Sequence, residues 1–336
     1  MENELISIIV SAYNAENTIK KCVNSILAQS YALFELIIVD DGSTDNTATI
    51  IDEMKLQDSR IFVVHKENGG LTSARKKGYT LSKGEYICFI DSDDYIEKDY
   101  LKELHSLMKE GTDIVIGSYY IENHDSSIIK QFDATHIDAK DFANRLILPS
   151  IYYVKGEDKV QYPDFVWLRL YRKSVITEKC FVSERVCYTE DLFFQFFTLL
   201  NAAGVAVSDK PIYHYIITEQ SLSQKYRKNK LQMLKNRYEM VKEYCVQNGI
   251  DITDNRYRGL QYVSMLGCVY NAKLSKNYLC FRDECKKIYK AFPDCWKRPK
   301  QGSFRFENAK HYFIYILMKM RLYRLLYFLV GVRVCG

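Results

Sequence analysis

The sequence predicts an α/β fold, a doubly wound and mostly parallel sheet with helices on both faces, followed by a mainly helical C-terminal region. Three observations predict it: five short apolar runs punctuate residues 1–118, stretches of helical length separate them, and the alternation gives way to helical patterning beyond residue 221. The runs are residues 6–10, 35–39, 61–64, 86–90 and 113–118. Their apolar residues are consecutive rather than alternating, as in strands covered on both faces. Between them, residues 16–30, 45–56, 71–82 and 98–108 place apolar side chains three and four apart, the spacing of crossover helices. Residues 118–220 read as a mixed, tyrosine-rich second half of the same unit, with an apolar helix over 192–203 and a turn at Pro211 before the run 212–217. One domain is therefore expected over 1–220, divided near 118, with a separate helical region over 221–336. That region opens on a basic stretch, 225–237, and closes on 308–334, where Lys319, Arg321 and Arg324 interrupt the apolar residues.

Composition narrows the function classes. At 47% hydrophobic residues, a chain of 336 residues has ample material for a buried core, which excludes wholesale disorder. The 47 basic and 42 acidic side chains leave a net charge of +5, too mild and too evenly spread for a nucleic-acid partner. Ten cysteines occur with no C-x-x-C spacing, so buried thiols in a reducing cytoplasm are expected rather than disulfides. The acidic first ten residues lack the pattern of a secretory signal, and no run reaches the ~18 apolar residues of a spanning helix.

In a doubly wound sheet, ligands bind beyond the carboxyl ends of the strands. Asp40 and Asp41 follow the second strand in VDDGSTD, and Asp91, Asp93 and Asp94 follow the fourth in FIDSDDY. Carboxylates this close repel one another unless a cation or hydrogen-bond donors offset the repulsion, and oxygen donors suit Mg²⁺ or Mn²⁺ shared with substrate phosphates. A metal-bound diphosphate is the leading ligand. The competing account, that these residues only make turns, with Ser43, Thr44 or Asp45 capping the next helix, is preferred for Asp45 but not for Asp91 and Asp93. The first strand turn, SAYNAENT, contains no glycine, which argues against a dinucleotide site, and no G-x-x-x-x-G-K-[ST] loop is present. Tyr13 stands at that turn, where its ring could stack on a nucleobase as readily as pack in the ordinary way. His214, between two tyrosines, reads as a packed or hydrogen-bonded residue rather than a ligand.

The ordered motifs AYN, VDDGSTD, ENGG followed four residues later by Arg75, FIDSDD, and TED before a phenylalanine-rich helix resemble a family 2 glycosyltransferase with the GT-A fold, over residues 4–220. The resemblance implies a nucleotide-binding half over 1–118 and an acceptor-side half over 119–220. It puts Ala12 and Tyr13 beside the base, Asp40 as acceptor for a ring N–H, Asp41 near the ribose, and Arg75 on the nucleotide. Asp91 and Asp93 match the D-x-D motif, Asp91 toward ribose or metal and Asp93 as the direct metal ligand. Glu190 and Asp191 match the E-D motif, with Asp191 as catalytic base. The implied reaction is inverting, Mn²⁺- or Mg²⁺-dependent transfer of a hexose from a nucleoside diphosphate, with uracil as the expected base, to a glycan or polyprenyl-linked hydroxyl in bacterial surface-polysaccharide synthesis. Two departures stand out. Lys76 and Lys77 follow Arg75 where asparagine is common, and the usual Trp-Asn-Lys-Leu run is Trp167, Leu168, Arg169, Leu170 here. Trp167 and Arg169, with Glu190, remain the acceptor-side candidates.

Two other functions compete. An aspartate-nucleophile phosphatase would use Asp91 and Asp93, but its later G-D-x-x-x-D loop is missing. A non-catalytic nucleotide- or glycan-binding protein would not need both acidic motifs. The basic, aromatic segment 310–334 suits either a peripheral contact at the inner face of the cell membrane or packing against the catalytic unit or a homodimer partner.

Overall fold

The structure is a computed structural model that describes residues 4–123, 125–143, 162–163, 165–187, 189–217, 226–247, 254–296 and 309–331. The chain divides into two compact units. The first comprises residues 1–143, 163–184 and 189–218, and the second residues 144–162, 185–188 and 219–336.

In the first unit, β1 (Ile6–Ala12), β2 (Phe34–Asp40), β3 (Ile61–His65) and β4 (Tyr86–Asp91) lie in the parallel order β3-β2-β1-β4. Their connections are α1 (Ile19–Leu27), α2 (Thr47–Gln57) and α3 (Leu71–Leu81). Both faces are covered, which explains the continuous apolar runs. Ile9, Ile37 and Val39 are buried, as are the alternate residues Ile8, Leu36 and Ile38. Ile37 and Val39 meet Ala74 of α3. The helix approaches the sheet closely because residue 78 is glycine; a Cβ there would lie 2.4 Å from Ile9 Cγ2.

The sheet continues through β5 (Tyr95–Ile96), β6 (Ile114–Glu122), β7 (Ser127–Lys130), β8 (Thr135–Asp138), β9 (Arg169–Arg172) and β10 (Gly204–Ile216). β9 pairs antiparallel with β4 and β6, and β10 runs parallel to β6. Between these strands lie α4 (Tyr100–Ser106) and α5 (Glu190–Leu199). One expectation is corrected here: Pro211 makes no turn but sits inside β10, at a register irregularity between Val207 and Tyr213. A proline, lacking an N–H, is tolerated in a sheet where the ladder is interrupted.

The second unit is helical. It contains α6 (Lys230–Gln247), α7 (Asp254–Lys273), α8 (Tyr278–Ala291), α9 (Ala309–Lys319) and α10 (Tyr323–Leu329). Met265, Val269, Phe281, Cys285, Ile314, Met318 and Leu326 are fully buried in its core. Asn277 caps α8 by accepting from the Cys280 N–H at 3.0 Å. The closing segment is two helices rather than one. Arg321 takes a left-handed conformation, φ +57°, and the Leu322 N–H reaches back to Leu317 O at 2.9 Å, a Schellman-type stop that redirects the chain. Residues 308 and 332–334 of this segment lie outside the described residues. Eight of the nine described cysteines are buried and all nine are free thiols. No helix among the described residues is long and apolar enough to cross a membrane.

Candidate active site

The parallel register aligns the strand ends: Ala12 pairs with Asp40, and Ser11 with Asp91. Ala12 is buried, while Tyr13 turns out to solvent at 52% exposure, its ring free to meet a ligand at the crevice mouth. The turns after β1 and β2 are braced to each other. Asn14 accepts from the Thr44 N–H at 2.8 Å, and Thr47 Oγ1 accepts from the Ala15 N–H at 2.8 Å. Asp45 accepts from Thr47 N–H and Oγ1 at the start of α2, the capping-type role expected of it.

Asp40 and Asp41 are both buried, and their partners differ. Asp40 accepts from the Ser43 N–H at 3.0 Å and meets His65 Nδ1 at 3.0 Å. Burial opposes its charge, but the hydrogen bonds from His65 and Ser43 win and hold the carboxyl below its ordinary range. Asp41 instead organises the glycine loop. It receives Lys66 Nζ at 2.5 Å and the N–H groups of Gly69 at 2.9 Å and Gly70 at 2.7 Å. Gly70, at φ +94°, opens α3 in a backbone conformation that suits only glycine well. The chain thus delivers α3, and with it Arg75, to the strand ends.

Arg75 is the centre of the arrangement. Buried on α3, it sends Nη2 to Asp91 Oδ1 at 2.9 Å and Nη1 to Asp191 Oδ1 at 2.6 Å, joining residues 116 positions apart in the latter pair. Burial alone would discourage the guanidinium charge, yet Asp191 and then Asp91 hold it more firmly protonated than usual. Burial raises the Asp91 carboxyl, and the Asp191 charge adds to this against the pull of Arg75. Glu190 is pushed up to about 7, first by burial and then by Asp191. Both acidic residues open α5, whose N-terminal dipole favours negative charge. The residue before them, Thr189, is left-handed at φ +70°. For a β-branched residue that costs about 1–3 kcal/mol, a strain held in place at the E-D motif.

The remaining acidic residues after β4 divide by environment. Asp94 is buried, receiving Tyr213 Oη at 2.7 Å and the Ile216 N–H at 2.8 Å, which ties this turn to β10. Asp93 touches no other residue's polar group among the described residues, and solvent reaches it on the crowded rim. Its carboxyl is pushed up to about 6, first by desolvation and then by Asp91. An acid whose pKa rises on folding stabilises the fold fully only below its unfolded value and loses that contribution as pH climbs through the folded one. Asp93→Asn is therefore expected to melt above wild type by a few °C at most, the gain growing between about pH 4 and pH 7. A melting series across that range reads it; a gain flat in pH would mean that its neighbours do not strain this carboxylate.

Of the acceptor-side candidates, Glu190 is half-buried and the other two are not surface groups. Trp167 is buried in an aromatic stack, with ring centroids 4.3 Å from Tyr213 and 4.6 Å from Phe165, so it packs the core rather than presenting a face to a sugar. Arg169 is likewise buried, giving Nη2 to Pro163 O at 2.5 Å, while its Nε and Nη1 meet no hydrogen-bond partner among the described residues. Sequence reasoning missed the Asp94–Tyr213 tie, the His65–Asp40 contact and the strain at Thr189. No local signal marks the first two, since their partners are distant in the chain.

Among the described residues, no three His, Cys, Asp or Glu side chains converge as a ready-made metal cage. The hard oxygen donors of Asp91 and Asp93 fit Mg²⁺ or Mn²⁺, which need only one or two carboxylates when substrate phosphates complete the coordination.

Comparison with known proteins agrees with this geometry. The model for "Glycosyl transferase family 2" matches residues 7–176. EpsH of Bacillus subtilis, which bears a glycosyltransferase name, is 35% identical over 231 residues, 68% of this chain and 65% of that protein. WfaP of Escherichia coli, a UDP-Glc:alpha-D-GlcNAc-diphosphoundecaprenol beta-1,3-glucosyltransferase, is 43% identical over 122 residues, 35% of this chain and 47% of WfaP. The chain thus spans less than two thirds of either relative. The crystal structure of S. aureus TarS residues 1–349 superimposes with a TM-score of 0.60 at 20% identity, covering 97% of this chain and 90% of that one, which establishes a shared fold. Five motifs in order, a site that joins the D-x-D motif to the E-D motif, and a family model spanning half the chain agree: the chain belongs to glycosyltransferase family 2.

Proposed function

We propose that the chain is an inverting, divalent-metal-dependent glycosyltransferase that moves a sugar from UDP to a hydroxyl of a lipid-linked glycan in surface-polysaccharide synthesis. The observation that carries this reading is the Arg75 bridge, which brings Asp91 of the D-x-D motif and Asp191 of the E-D motif within the span of one guanidinium. Residues 1–220 form the transfer unit. Ala12, Tyr13 and Asp40 take the base, Asp41 holds the glycine loop against the ribose side, and Arg75 stabilises the nucleotide end of the site. Asp93, with Asp91, would hold Mn²⁺ or Mg²⁺, which offsets the charge that develops on the departing diphosphate when it is bound. No protein nucleophile is required. Asp191 accepts the acceptor hydroxyl proton as the oxygen attacks the anomeric carbon from the face opposite the diphosphate, inverting it. Glu190, beside it at the start of α5, serves the acceptor side, over a core wall that includes Arg169 and Trp167. The likeness to WfaP, a UDP-Glc:alpha-D-GlcNAc-diphosphoundecaprenol glucosyltransferase, supports UDP as the nucleotide and a polyprenyl diphosphate carrier for the acceptor. An acceptor of that kind puts the enzyme at the inner face of the membrane, in peripheral contact through the exposed apolar and basic side chains of α9 and α10.

UDP should raise the melting temperature only in the presence of Mn²⁺ or Mg²⁺, because a ligand that binds the folded state alone stabilises it by mass action. At 100 times Kd that amounts to about 2.7 kcal/mol, or roughly 5–10 °C. Asp93→Ala should remove the metal-dependent part. Equal stabilisation by UDP in excess chelator would show that the acidic pair does not work through a metal.

A further inference from the structure

The helical unit contains a cavity of about 610 Å³, lined by Lys286, Tyr289, Lys290, Trp296, Arg321 and Tyr323. That volume is typical of sites for small organic ligands. One wall is a fixed aromatic stack. Tyr289 and Trp296 lie ring on ring, with centroids 4.8 Å apart and planes 9° from parallel, and Trp296 Nε1 donates to Tyr289 O at 2.9 Å. The Arg321 guanidinium sits 4.5 Å from the Tyr289 ring. Lys286 and Lys290 project from α8 at the rim, both exposed, and Lys286 meets Asp283 at 3.4 Å, an exposed pair of little strength. The cavity therefore presents three cations around an aromatic floor.

Its setting identifies the ligand class. Arg321 lies at the break between α9 and α10, and its chain neighbours Met320 and Leu322 are exposed. On α10, Leu325 is 58% exposed and Phe328 82%, one turn from Arg324. No acidic residue occurs anywhere from 309 to 331. A hydrophilic polyanion would satisfy the cations but leave these large apolar side chains in water. An amphiphile with an anionic head serves both.

We infer that this cavity binds the phosphate headgroup of an anionic phospholipid at the bilayer surface, with Lys286, Lys290 and Arg321 around the phosphate and Met320, Leu322, Leu325 and Phe328 entering the acyl boundary. The inference deepens the peripheral membrane contact proposed above and does not depend on the transfer chemistry.

The test uses the full chain and two probes. The first is sedimentation with phosphatidylglycerol vesicles against phosphatidylcholine vesicles. Lys286→Gln, Lys290→Gln and Arg321→Gln together should weaken phosphatidylglycerol binding by about 10- to 100-fold at low salt, since each cation near an anionic surface contributes substantially. Replacing the exposed Lys20, Lys55 and Lys109 of the other unit by glutamine should change it less than about threefold. The second probe is dihexanoyl phosphatidylglycerol below its micelle concentration, followed through Trp296 emission against inorganic phosphate; a saturable change with the lipid, absent from the triple variant and at least about tenfold weaker with phosphate, is expected. Vesicle binding that falls equally in both triple variants would overturn the cavity assignment and leave the membrane contact standing. Phosphate acting as well as the lipid would reduce the cavity to a bare anion site and overturn it too. Saturable binding of the short lipid without any vesicle binding would overturn the assignment to a bilayer surface.

Discussion

Asp191→Asn is expected to slow sugar transfer by about 10²–10⁴-fold, roughly 3–5 kcal/mol of barrier, while UDP affinity stays within about threefold. Asparagine keeps the shape of the side chain, and its Oδ1 can still accept from Arg75 Nη1, the contact that measures 2.6 Å in the wild-type protein. What it loses is the capacity to take a proton. If Asp191 only stabilised the start of α5, the change would cost little, because asparagine and aspartate serve comparably at helix N-termini. The ratio of transfer rate to nucleotide affinity therefore separates chemistry from architecture. Glu190→Gln provides the comparison, and should slow transfer far less if Asp191 is the base.

Arg75→Ala should be the most damaging single substitution at the site. It leaves Asp91 and Asp191 without their shared cation in a buried setting, and breaking a buried pair in this way costs about 3–5 kcal/mol. Arg75→Lys should rescue only part of this, since an ammonium is a point charge and cannot span two carboxylates with a planar fork. The pH dependence carries the diagnosis. Without the guanidinium, the Asp91 carboxyl, already raised by burial, should rise further, so its protonated form stabilises the fold below the unfolded value near 3.9 and that contribution is lost as pH rises. The melting deficit of Arg75→Ala relative to wild type should therefore be larger at pH 8 than at pH 5. A deficit equal at both pH values would mean that Arg75 acts through packing alone.

Much of the first unit is legible in its sequence because its strands are buried on both faces, which turns burial into uninterrupted apolar runs such as 6–10 and 35–39. The acidic residues after β2 and β4 are legible for a related reason, since residues that directly follow such runs must lie at the strand ends. Other features are decided by tertiary contacts. That Arg75 holds Asp91 and Asp191 at once follows from where the fold sets the ends of β4 and α5, and nothing near Arg75 in the chain announces it. Trp167 illustrates a second limit, because an aromatic within an apolar run has the same local pattern whether it meets a sugar or, as here, packs against Tyr213. Pro211 and Arg321 illustrate a third. A proline inside a strand needs a ladder irregularity, and an arginine ends a helix only by entering a conformation that sequence preferences disfavour.

The most direct measurement is nucleoside diphosphate release from a panel of nucleotide sugars with Mn²⁺, where water stands in for the acceptor, comparing wild type with Asp191→Asn prepared in parallel and with matched UDP affinities. Glycosyl transfer through Asp191 predicts slow release of the diphosphate from at least one UDP-sugar by the wild type, and release at least about 100-fold slower from the variant. No release from any nucleotide sugar, or equal release from both proteins at equal affinity, would contradict it.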